Sequence, residues 1–183
     1  MRFAVFLCVI AIGQAADSFE YRVLATTKTS TMERELNEAA AAGFEFSAVM
    51  GGSTATAGSE VVVVMKRIPA GAPKRSYKLL ATKRTSTMQK ELQELGDEGY
   101  DYRGQTVFSS TFGGREVSVI LERQEGGSKA HIAYRLLATS RTSTMDKELN
   151  EAGQAGFELV GLSVGQTSFG GSEVLSILRK KVE

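Results

Sequence analysis

Three near-copies of one segment follow one another along the chain, and no other feature restricts its fold so sharply. Tyr21-Arg22-Val23-Leu24-Ala25-Thr26 returns as Tyr77-Lys78-Leu79-Leu80-Ala81-Thr82 and as Tyr134-Arg135-Leu136-Leu137-Ala138-Thr139. The match continues through Thr29-Ser30-Thr31-Met32, Thr85-Ser86-Thr87-Met88 and Thr142-Ser143-Thr144-Met145, then through Gly43, Gly99 and Gly156, and ends on Glu60-Val61, Glu116-Val117 and Glu173-Val174. The repeated units occupy residues 19–67, 76–123 and 132–180. Residues 68–75 hold both prolines and residues 124–131 are polar and glycine-rich, so both stretches read as linkers.

Inside a unit the β-forming run Tyr21–Thr26 predicts a first strand. Ser30, Ser86 and Ser143 each precede by three residues a side chain able to reach back (Glu33, Gln89, Asp146), the pattern of a capping box at a helix start. Met32, Leu36, Ala39 and Ala40 then form one apolar helical stripe. Gly43, Gly99 and Gly156 suit the left-handed residue that ends a helix, and the aromatic after each (Phe44, Tyr100, Phe157) can pack back on the last turn.

A second strand over Phe44–Met50, a glycine-rich turn and a third strand follow, the third at Glu60–Lys66, Glu116–Glu122 and Glu173–Arg179. Val61-Val62-Val63-Val64-Met65 reads as buried on both faces. A right-handed crossover leaves the middle of the sheet for this third strand. The expected fold is therefore α+β: three tandem β-α-β-β units, each a three-stranded sheet of order 1-3-2 with one helix. About 48 residues without a disulfide or metal bury little surface alone, so the units are expected to pack together.

Glu148-Leu149-Asn150-Glu151-Ala152-Gly153-Gln154-Ala155-Gly156-Phe157-Glu158-Leu159-Val160 resembles the helix end and second strand of a small bacterial family known only as a domain of unknown function. Its pattern is a tyrosine-bearing strand, a helix and a Gly-aromatic-Glu-hydrophobic turn into a hairpin. The first copy departs in Ala41 and Ala42, the second in Tyr100-Asp101-Tyr102. The resemblance implies a strand-helix-hairpin fold and brings no activity, ligand or catalytic residue with it.

Arg2, the apolar run Phe3–Ile12 and the small residues of Gly13-Gln14-Ala15 read as a signal peptide over residues 1–16, cleaved after Ala15 or Ala16. The run is too short to span a bilayer, which predicts a secreted or periplasmic protein without a membrane span after cleavage. Cys8, the one cysteine, would leave with it. Lys and Arg number 22 against 21 Asp and Glu, and loss of Arg2 brings them level, so no basic field points to nucleic acid.

The one histidine, His131, falls at the end of the second linker and has no counterpart in the other copies. Without a thiol or a repeated base, nucleophilic catalysis has no support, and no metal or other cofactor is expected. Glu60, Glu116 and Glu173 read as strand-end charges facing Arg22, Lys78 and Arg135 across the sheet.

Two constellations remain. A cation and three hydroxyl residues meet at each helix start (Lys28, Thr29, Ser30, Thr31; Arg84, Thr85, Ser86, Thr87; Arg141, Thr142, Ser143, Thr144), where helix capping or a small anionic ligand would use them. Phe112 and Phe169 sit at hairpin tips as candidate contacts to a protein partner or to another copy. The chain is thus expected to be a non-enzymatic interaction or scaffold protein, with an anion-binding module as the alternative.

Overall fold

The computed structural model describes residues 18–54, 58–82, 84–110, 114–126, 130–166 and 171–182. Unit 1 runs β1 (Tyr21–Thr26), α1 (Thr29–Ala41), β2 (Phe44–Thr54) and β3 (Gly58–Arg67). Unit 2 runs β4 (Arg75–Thr82), α2 (Thr85–Asp97), β5 (Asp101–Ser110) and β6 (Gly114–Gln124). Unit 3 runs β7 (His131–Thr139), α3 (Thr142–Gln154), β8 (Glu158–Gln166) and β9 (Ser172–Val182). Each unit is an antiparallel three-stranded sheet with its last strand in the middle, in the orders β1-β3-β2, β4-β6-β5 and β7-β9-β8. The α+β reading and the strand order are those of the molecule.

The helices begin differently from the capping-box expectation. Lys28, Arg84 and Arg141 are the N-cap residues, none of them bonding its side chain to the helix, and the serines lie two residues further on, second in each helix. The chain is turned instead by the threonine ending each first strand: Thr26, Thr82 and Thr139 accept the N–H of Lys28, Arg84 and Arg141 at 3.1, 3.2 and 3.3 Å. This local turn fixes the helix start before the serines are reached. Helix ends follow the sequence: Gly43, Gly99 and Gly156 have φ of 85°, 86° and 84°. The N–H groups of Tyr100 and Phe157 reach back to Leu95 and Ala152 at 2.9 and 3.0 Å, closing the last turns.

Three further expectations are corrected. Arg22 stands opposite Met65, Lys78 opposite Leu121 and Arg135 opposite Leu178, at the far end of the sheet from Glu60, Glu116 and Glu173, because the pairing is antiparallel. Arg22 and Arg135 instead stack on Phe44 and Phe157, at 4.5 and 4.4 Å from the ring centres. Arg75 and His131 are strand residues rather than linker, and His131 is exposed opposite Val182. Burial on both faces describes β6, where Val117 through Glu122 are all buried, but within Val61–Met65 of β3 only Val61, Val63 and Met65 are.

The difference between β3 and β6 follows from how the sheets stack. The inner face of sheet 1 carries Val61, Val63, Met65, Leu24, Phe46 and Val49 and is covered in part by Met32, Leu36 and Ala39 of α1. The rest is closed by Ile120, Tyr77 and Leu79, which project from the outer face of sheet 2. The second core repeats the design: Met88, Leu92, Val117, Val119 and Leu121 of unit 2 meet Leu175, Ile177, Tyr134 and Leu136 from the outer face of sheet 3. Each core is therefore completed by the unit that follows, and among the described residues burial on both faces runs through Val117–Glu122 of β6 and the shorter stretch Leu175–Leu178 of β9.

Candidate protein-interaction faces

An edge strand exposes a row of unpaired N–H and C=O groups, and in this molecule a helix of the preceding unit covers that row. Asn37 of α1 donates from Nδ2 to the Tyr77 carbonyl at 3.0 Å and accepts the Tyr77 N–H on Oδ1 at 2.9 Å, so its amide stands in for a neighbouring strand. One turn earlier Glu33 accepts the Leu79 N–H at 3.0 Å and pairs with the Lys78 ammonium at 3.2 Å. That bond to the Glu33 carboxylate, and its charge, hold the Lys78 pKa above its ordinary value.

At the second junction Gln93 accepts the Tyr134 N–H at 3.0 Å, while Gln89 accepts the Leu136 N–H at 2.7 Å and donates to the Tyr134 carbonyl at 3.0 Å. Glu33 and Gln89 thus do not reach back to cap their own helix. They hold the next unit.

The tyrosine that opens each first strand is the central plug. Tyr77 accepts the Phe46 N–H on its hydroxyl at 2.9 Å and donates to Glu122 at 2.5 Å; Tyr134 donates to the Tyr100 carbonyl at 2.9 Å. Burial is the first cause that pushes both phenols well above the ordinary value, with the Glu122 and Asp101 carboxylates adding to it at Tyr77 and Tyr134 respectively. Burial also raises Tyr102, beside the second junction, to about 12.

Glycines let the sheets approach. A Cβ on Gly104 would stand 2.8 Å from the Phe46 ring, one on Gly161 2.6 Å from the Tyr102 hydroxyl, and one on Gly96 of α2 only 2.1 Å from the Ile132 carbonyl. A polar seam borders each apolar junction. Arg75 bridges Glu45 at 2.9 Å and Glu122 at 3.3 Å, and Arg179 pairs with Asp101 across the second.

At the two ends the same surfaces stand uncovered. On the outer face of sheet 1, Tyr21 is 55 % exposed where its counterparts Tyr77 and Tyr134 are 1 % and 4 %, and Val23 and Met50 are exposed beside it. On the inner face of sheet 3, Leu159, Leu162 and Val164 are exposed, although the equivalent inner positions of sheet 1, Phe46 and Val49, pack into a core. These six residues are most of the large apolar side chains exposed among the described residues; the others are Phe19 and Val182.

The residues singled out from sequence lie elsewhere. Lys28, Arg84 and Arg141 are exposed at the helix starts. Thr85 donates to the Glu173 carboxylate at 2.9 Å, and the groove beside Thr29 and Ser30 is lined by Glu33 and Glu91 together with Arg34, so carboxylates stand beside two of the three helix starts. Thr142, Ser143 and Thr144 are exposed. Phe112, Phe169 and residues 1–16, where the sequence reads as a signal peptide, lie outside the described residues. No group of three or more His, Cys, Asp or Glu among the described residues is arranged to hold a metal, and no described helix is long and apolar enough to cross a membrane.

Glu33 and Gln89 read in the sequence as helix-capping side chains, and Asn37 and Gln93 were not singled out at all. Their signal was available: an amide recurs at Asn37, Gln93 and Asn150, and an acceptor-bearing side chain at Glu33, Gln89 and Asp146. Comparison with protein-family models, with curated proteins and with solved structures finds no match.

Proposed function

We propose that the chain is a non-enzymatic interaction or scaffold protein, secreted or periplasmic, that engages a protein partner through the ends of its stack. One observation carries the reading: the exposed large apolar side chains gather on two end faces, Tyr21, Val23 and Met50 on one and Leu159, Leu162 and Val164 on the other. Repeat proteins stay soluble when their terminal units turn a polar face outward. Apolar ends of this kind fit surfaces that another protein covers. The export step rests on the leader over residues 1–16. An anion at the helix starts has weaker support, since Glu33, Glu91 and Glu173 would repel it at units 1 and 2.

The reading is tested with a photo-crosslinking side chain placed at position 23, at position 162 or, as a control, at the exposed helix position 90. Irradiation in the cells that make the protein is expected to yield protein adducts at 23 and 162 and none at 90. Absence of adducts at both ends would overturn it.

A further inference from the structure

We infer that the two end faces bind each other between copies of this chain: α3 and the inner face of unit 3 in one copy receive β1 and the outer face of unit 1 in the next. The inference deepens the proposed function by naming the partner, and it rests on that reading. The two internal junctions show what covers such faces. In both, the inner face of one unit receives the outer face of its successor, and helix side chains satisfy the successor's edge strand.

The end residues match that pattern position by position. Asn150 stands where Asn37 and Gln93 stand, and its amide is held as that of Asn37 is, donating to the Asp146 carbonyl at 2.8 Å where Asn37 donates to that of Glu33 at 2.8 Å. On a second copy it would reach the N–H and C=O of Tyr21, as Asn37 does those of Tyr77. Asp146, in the place of Glu33, would take the Val23 N–H and oppose Arg22, as Glu33 does Leu79 and Lys78. The Tyr21 ring would enter sheet 3 as Tyr77 enters sheet 1.

Gly153 supplies an independent indication. A glycine within a helix is less stable than an alanine, and its counterpart at the second junction, Gly96, has a reason for being there, the Ile132 carbonyl 2.1 Å from where a Cβ would stand, whereas the first junction carries Ala40 at this position. At Gly153 no described atom comes within 4 Å of that point. The cost is explained if the strand leading into β1 of another copy, near Phe19, lies on it. A compensating pair points the same way: the outer faces carry Gly104 and Gly161 at the internal junctions against Phe46 and Tyr102, whereas the open face carries Ala48 and would meet the smaller Leu159.

Such a contact joins two different faces, so it is heterologous and builds closed rings or open filaments. Sedimentation velocity of the leader-free chain across a concentration series tests it, with two singly blocked variants. Val23→Pro removes the N–H on the open edge of β1; Asp146→Arg with Asn150→Ala blocks α3. The unmodified chain is expected to assemble with rising concentration. Each variant alone should be a monomer, and the two mixed should form a 1:1 heterodimer, because each retains the face the other lacks.

Gly153→Ala should leave the monomer folded with a raised Tm and weaken assembly at least tenfold. Circular dichroism identifies any variant that fails to fold, and the Gly153→Ala chain still tests the face if Val23→Pro does not. A chain that stays monomeric throughout, or variants that associate as well as the parent, would overturn the inference. Adducts at positions 23 and 162 to a different protein would support the interaction reading and overturn self-association, while their absence would remove both.

Discussion

Tyr21, Tyr77 and Tyr134 share one position in the repeat and have different surroundings. Tyr77 and Tyr134 each have a unit in front of them, so their rings are buried and their hydroxyls are bonded; Tyr21 has none among the described residues and lies open beside Phe19. The difference has a consequence at alkaline pH. The folded protein keeps protons on Tyr77, Tyr102 and Tyr134 that an unfolded chain releases near pH 10. Their raised values therefore contribute stability below about pH 10 that falls as pH rises, for Tyr102 through about 12. Phenolate absorbance should show these three titrating late, together with a fall in denaturation midpoint as pH rises from about 10 to about 12. Ordinary titration of all three in the folded protein would contradict the buried-plug assignment.

The helices have two roles, one on each side of their axis. The stripe of Met32, Leu36 and Ala39 roofs the helix's own sheet and was legible in the sequence as a helical period. The neighbouring row of Glu33 and Asn37 was not, because polar residues beside an apolar stripe look like any solvated helix face until the next unit's edge strand is placed against them. Removing the Asn37 amide leaves the Tyr77 N–H and C=O without it, so Asn37→Ala should destabilise the fold by about 1–3 kcal/mol. Asn150→Ala, at the open end, should change monomer stability by no more than about 0.5 kcal/mol. Urea unfolding at low protein concentration checks both, and equal losses would show that the amide serves its own helix rather than the junction.

Among the described residues the molecule is a directional stack of three sheets, most fully covered in the middle and with apolar side chains exposed at both ends. Protection from hydrogen exchange should follow that order: slowest for the amides of β6, whose Val117 through Glu122 are buried, and fastest for the outward N–H groups of Tyr21 and Val23. Exchange read by mass spectrometry or NMR decides it. Uniform protection across β1 and β6 would mean that unit 1 is covered as fully as unit 2.

The three copies, the unit's element order, the middle place of the third strand and the glycine at each helix end could all be read along the chain. These follow from local chemistry: side-chain periodicity, the left-handed preference of glycine and the handedness of a crossover. The helix starts, set by Thr26, Thr82 and Thr139, and the direction in which the units stack emerged from the packed molecule alone. Near-identical repeats carry the same residues whether covered or exposed. What distinguishes Tyr21 from Tyr77 is whether another unit lies against it, and that information is not in the repeat.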